Sequence, residues 1–310
     1  MAQNSALRQE SFQLSAHALS PANDASDIQP LDYKALHEGN QRRLGRIALA
    51  QRCLPLLRYL QHHRGASLAV LNGDLFFESR ILGIQHKIEF HLEQVKQLSQ
   101  AGLLLTPEWR NVEREWLFVK GQWRMDSPIA NFNLHSHLIN ELLSFIKSLM
   151  FHKELGTDSD SLLLLGYLAE TLLPTLEGIA QIRGLSTHRG LDANEDGDQE
   201  VVFKLNYLVS EFHQRQTGVV ERCKAFSERD KVRVLKSHSE SSYIKNLKHF
   251  DIEVDQARKL QWLSGYGNGS LFLSATKLID SILLIAETSI KQLRDHMDQD
   301  LQRWIYRDRY

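Results

Sequence analysis

The feature that most constrains this chain is its period. Apolar residues recur every three or four positions through long segments, and no stretch alternates with period two for long enough to make a strand. Seventeen glycines and six prolines among 310 residues are sparse and fall mostly between those segments. The pattern predicts about eight long helices and an all-α fold of antiparallel helical bundles.

A first helical stretch is expected from Asp32 to Asn72, kinked or broken near Pro55, because proline has no backbone N–H to donate. A second, capped by Asp74, ends near Gly102. Thr106 and Pro107 place a capping residue and then a proline at the first helical position, opening a third helix that reaches Gln122. "DSPIAN", Asp126 to Asn131, reads as a break before a fourth helix from Phe132 to Leu155. A fifth, after Asp158 or Asp160, contains Pro174 and Arg183, and a sixth spans Gln199 to Phe226. Ser227 to Asp230 resembles a capping box for a seventh helix reaching Leu263. Ser270 caps the last, which extends to Trp304 with Phe272, Thr276, Ile279, Leu283, Ala286, Ile290 and Leu293 on one face. Residues 1–31, rich in Ser, Ala, Gln and Asn, read as a disordered leader to a helical body over 32–306.

Two segments repeat one skeleton. "LPLLRYLQHHRGAS" (Leu54 to Ser67) and "LPTLEGIAQIRGLS" (Leu173 to Ser186) each carry Leu-Pro, an aliphatic residue four before an arginine, Arg-Gly, and a serine three after the arginine. They lie 119 positions apart, each early in one half (32–155 and 158–306), which suggests an internal duplication. Glycine inside a helix costs about 1 kcal/mol relative to alanine, so its placement usually has a reason. It lets a backbone or a small ligand approach closely. The adjacent arginine brings a planar, permanently charged fork suited to planar oxyanions. Ser67 and Ser186 fall close to Arg64 and Arg183 on the helix surface. The competing reading makes each glycine a tight helix crossing and pairs each arginine with a glutamate.

Other chemistry finds little support. A net charge of −1 from 37 basic and 38 acidic residues gives no global field for nucleic acid or an anionic membrane. The basic stretch Arg229 to His249 is interleaved with acids and reads as a solvated face. Two distant cysteines, Cys53 and Cys223, make neither a disulfide framework nor a zinc pattern. Fourteen histidines include no His-Glu-x-x-His or Glu-x-x-His; His62-His63, His86/His91 and His135/His137 read as surface or partly buried polar residues, and no metal is expected. "GYGNG" follows no strand and reads as a hinge, and no nucleophile is matched to a base. No catalytic residue, enzyme activity or cofactor is expected. The start lacks a signal peptide's pattern, and "LLLLGYLAETLLPTL" is too short to span a bilayer, so the expected setting is cytoplasmic.

"RGAS" and "RGLS" on paired helices, with the C-terminal "SLFLSATKLIDSILLIAETSIKQLRDHMDQDLQRW", resemble the nitrate- and nitrite-sensing (NIT) domain over about Tyr33 to Trp304. The resemblance implies an all-helical receptor module of bacterial signalling proteins that takes up nitrate or nitrite between helices. Residue by residue, it implies Arg64 and Arg183 as anion ligands and Gly65 and Gly184 as space-makers, with Ser67 and Ser186 as weaker carry-overs. Arg222, Arg229 and Arg233 are candidates for a further arginine. NIT modules usually precede an output module, and none follows here before Tyr310. The expectation is a sensor that signals through a partner protein or a second copy, by way of the last helix. A ligand-free helical scaffold and an RNA-binding regulator remain the alternatives.

Overall fold

Helix α1 (Tyr33–Leu71) is the centre of the molecule. Ile47, Leu49, Ala50, Cys53, Leu54, Leu56 and Leu57 are all fully buried while Arg52 and Arg58 are exposed, so its middle carries a broad apolar face that must be covered. It is: α1 packs on α2 (Glu78–Leu98), α4 (Pro128–Met150), α6 (Leu173–Arg189) and α9 (Asn268–Arg307). The remaining helices are α3 (Pro107–Gln122), α5 (Ser159–Tyr167), α7 (Glu195–Ser227) and α8 (Ser239–Lys259). This computed structural model describes residues 33–98, 104, 106–151, 159–189, 195–227, 239–262 and 268–307, and among them there is no strand. The all-α reading holds.

The two halves share one pairing scheme. In the first, α1 packs on α2 and α4, and α3 on α4; in the second, α6 packs on α7 and α9, and α8 on α9. The two Arg-Gly segments lie on α1 and α6, which occupy equivalent places in that scheme and touch each other. Most of the buried side chains form one continuous core through both halves. Each fully buried leucine or isoleucine there contributes on the order of 1.5–3 kcal/mol relative to exposure.

Local expectations fare unevenly. Asp74 caps a 3₁₀ turn (Leu75–Phe77) leading into α2, and Thr106 Oγ1 accepts from the Trp109 N–H at 3.3 Å with Pro107 opening α3. The break read at "DSPIAN" is instead a helix start. Ser127 accepts from the Ala130 N–H at 3.3 Å and Pro128 takes the first helical position, the same device as Thr106–Pro107. Ser227 is the last residue of α7, α8 starts at Ser239, and residues 228–238 lie outside the described residues, as do 1–32. The last helix starts at Asn268, two residues before Ser270.

The two Leu-Pro steps differ. Helix α1 runs unbroken through Pro55, whereas Pro174 follows a π turn (Leu168–Leu172) in which the Leu173 N–H reaches back to the Leu168 carbonyl. That wider turn accommodates the backbone ahead of a residue that cannot donate. Two stretches, Ser161–His188 and Gly269–Gln299, are long and apolar enough to cross a membrane by length and composition, contrary to the expectation that none is. Both are core helices, with 67% and 50% of their most apolar window buried in the protein.

Candidate functional site

Facing segments of α1 and α6 carry the two arginines to one cavity of about 380 Å³, in the range of small-ligand sites. Arg64, Gly65, Arg183 and Gly184 all line it, with His62, Thr187, Phe272 and Thr276. Its apolar part is made by Ala66, Ala69, Phe77, Ile84 and Ala180. The α9 stripe divides: Ile279, Leu283, Ala286, Ile290 and Leu293 are buried in the core, while Phe272 and Thr276 at its start form a cavity wall.

The arginines are not equivalent. Arg64 is 1% exposed and holds Glu177 with both terminal nitrogens, Nη1 donating to Oε1 and Nη2 to Oε2 at 3.2 Å. Its Nη1 also donates to Ser136 Oγ at 3.0 Å, and its guanidinium lies 5.0 Å from the Phe132 ring centre. Glu177, 3% exposed, accepts two further bonds at 2.8 Å, from Gln61 Nε2 to Oε2 and from Gln181 Nε2 to Oε1. For this arginine the competing reading is right: its partner is a glutamate.

Arg183 has no such partner among the described residues. Its Nη1 donates to Thr276 Oγ1 at 3.0 Å, and its guanidinium stands 5.3 Å from the Phe272 ring centre. Burial, followed by the nearby charge of Arg64, lowers its pKa from 12.5 to about 10, with Asp280 and Glu177 partly offsetting. It stays charged at neutral pH, at a cost that an anion beside it would relieve.

The glycines also differ. A Cβ on Gly65 would meet nothing within 4 Å, so this residue marks open space and no tight crossing. A Cβ on Gly184 would sit 3.3 Å from Phe132 Cε2, so its absence makes room for the ring beneath Arg64. Ser67 and Ser186 are buried outside the cavity lining. Each donates its hydroxyl to the backbone carbonyl of its arginine, at 3.2 and 3.1 Å, instead of turning toward the guanidinium. Three residues is the reach of that back-bond, which the spacing alone did not separate from a bond to the side chain. The side chain of Arg222 and all of Arg229 and Arg233 lie outside the described residues.

Beside the site runs a polar chain that the sequence did not reveal. His63 and His135, read as surface or partly buried, are completely buried and joined Nδ1 to Nε2 at 2.7 Å. The Gln85 amide donates to His63 Nε2 at 3.1 Å, so His63 Nδ1 carries the proton given to His135 Nε2. His135 Nδ1 then donates to the Asn131 carbonyl at 2.8 Å. Burial lowers His63 to about 4 and His135 well below its usual value, and both stay neutral. Among the described residues no group of three or more His, Cys, Asp or Glu is placed to hold a metal ion.

Compared by sequence, the chain matches no family model and no curated protein. Compared by structure, it is similar to the NasR transcription antiterminator, with a TM-score of 0.58 at 16% identity over 87% of this chain and 73% of that one. The likeness is one of fold.

Proposed function

We propose that the protein is a nitrate- or nitrite-binding sensor that acts through a partner, with the anion held in the cavity between α1, α6 and α9. The observation that carries this reading is Arg183. It is a desolvated guanidinium with a hydroxyl and an aromatic face as neighbours, no ion-paired carboxylate among the described residues, and open space at Gly65. Its planar fork suits a planar oxyanion, and Thr187 and Thr276 line the same cavity. The resemblance of the Arg-Gly segments to NIT modules and the fold shared with a transcription antiterminator support a regulatory role.

Arg183 bonds directly to α9 through Thr276, so an anion that takes Nη1 competes with a contact between α6 and α9. The ligand would shift helix packing only by as much as it prefers one arrangement over the other. Output through a partner at the end of α9 is part of the proposal. Met297 is already buried within the protein, and the side chains of Leu301 and Trp304 lie outside the described residues. Calorimetric titration with nitrate, nitrite and chloride tests the reading: saturable heat with the oxyanions and none with chloride supports it, and equal behaviour of all three sinks it.

A further inference from the structure

We infer that Glu177 is a built-in counter-ion that restricts the cavity to singly charged anions, so that charge and not size excludes sulfate. The inference rests on the proposed anion site and adds its selectivity rule.

Counting charge at the cavity gives the rule. Arg64 and Arg183, in the cavity wall, supply two permanent positive charges; the Glu177 carboxylate lies outside the lining but is clamped by Arg64 and Gln61 of that wall and by Gln181, and removes one. Arg58, behind Arg183, is matched by Asp280 at 3.0 Å. Arg80, on the rim, stacks on Phe76 and is exposed, where water and salt screen it. One buried positive charge is left, on Arg183. A monoanion neutralises it. A dianion brings a surplus negative charge into a desolvated space beside a carboxylate that is itself 3% exposed, and buried charge without a partner is strongly unfavourable.

Glu177 is fixed by four hydrogen bonds and does not swing aside at small cost. Arg64 on this view acts on the ligand chiefly by cancelling Glu177. Removing Arg64 alone leaves an unpaired carboxylate next to the cavity wall; removing both charges restores the original balance.

The test is calorimetry on the full chain at constant ionic strength, with sodium nitrate and sodium sulfate, for wild type, Glu177→Gln and Arg64→Met/Glu177→Gln. The isosteric Glu177→Gln change raises the cavity charge by one, and sulfate should then bind at least tenfold tighter than it does to wild type. The double variant should bind nitrate within tenfold of wild type and discriminate against sulfate again. A sulfate gain below tenfold overturns the inference, as does a double variant that loses nitrate. If Glu177→Gln does not fold, the double variant decides alone by the same criterion. A wild type indifferent to nitrate ends the sensor reading without touching the sulfate comparison, so the two failures are distinguishable.

Discussion

Arg64 and Glu177 are joined across α1 and α6 by two guanidinium–carboxylate bonds, and neither side chain reaches solvent. The partner copy of the motif offers no counterpart, since Arg183 faces a threonine. Replacing each arginine should therefore give opposite results. Arg64→Ala strands a buried carboxylate with only two amide donors and should cost about 3–5 kcal/mol of stability. Arg183→Ala removes a desolvated cation that has no ion-pair partner among the described residues, and should leave stability within about 1 kcal/mol of wild type or raise it. Urea melts of both variants decide; equal losses would mean that Arg183 also has a structural ion pair.

Ligand binding should appear as stability. An anion that binds only the folded chain adds about 2.7 kcal/mol at a hundred times its dissociation constant. In a protein of this size that raises the melting temperature by a few degrees. Nitrate should do so beyond an equal concentration of chloride, and Arg183→Ala should abolish the difference while remaining folded.

The two glycines should separate packing from ligand space. Gly65→Ala places a methyl in the open cavity, so it should gain up to about 1 kcal/mol from helix propensity while weakening nitrate binding. Gly184→Ala presses on the Phe132 ring and should show little or none of that gain. Thermal melts with and without nitrate distinguish them; a Gly65→Ala variant that binds nitrate like wild type would place the anion elsewhere.

The buried histidine pair predicts acid sensitivity. His63 titrates near 6.5 when unfolded and near 4 when folded, so below pH 6.5 the unfolded chain binds more protons and stability falls as pH falls. The stability is fully present above pH 6.5. His63 alone should account for a loss of about 2 kcal/mol by pH 5, and His135, shifted the same way, for more. Urea melts from pH 7.5 to pH 5 measure it; a flat profile would show that the pair takes up protons alike in the folded and unfolded chains.

How much of this was legible in sequence depends on how local the cause is. Helical class, the Thr106–Pro107 start and the meeting of Arg64, Gly65, Arg183 and Gly184 follow from period and from a repeated motif. Glu177 does not: it lies six residues before Arg183 but serves Arg64, 113 positions away, and only tertiary packing reveals that. The His62-His63 step was ambiguous for a physical reason. Adjacent helical residues point about 100° apart, so one faces the cavity and solvent while the other is sealed in the core. Thr276 had left a signal, as a hydroxyl inside an otherwise apolar stripe.

The unmatched glutamate has a geometrical consequence. Two identical motifs facing each other would offer a ligand two equivalent seats, with nothing to favour one over the other. With Glu177 anchoring α1 to α6 on one side, the seat with charge to spare among the described residues of the two motifs is at Arg183, against α9. On the proposed reading, the pull of a bound anion would have a direction: it would load the α6–α9 seam and leave the α1–α6 clamp as the fixed point. A doubled scaffold with one broken symmetry is in this sense a lever with its fulcrum already in place.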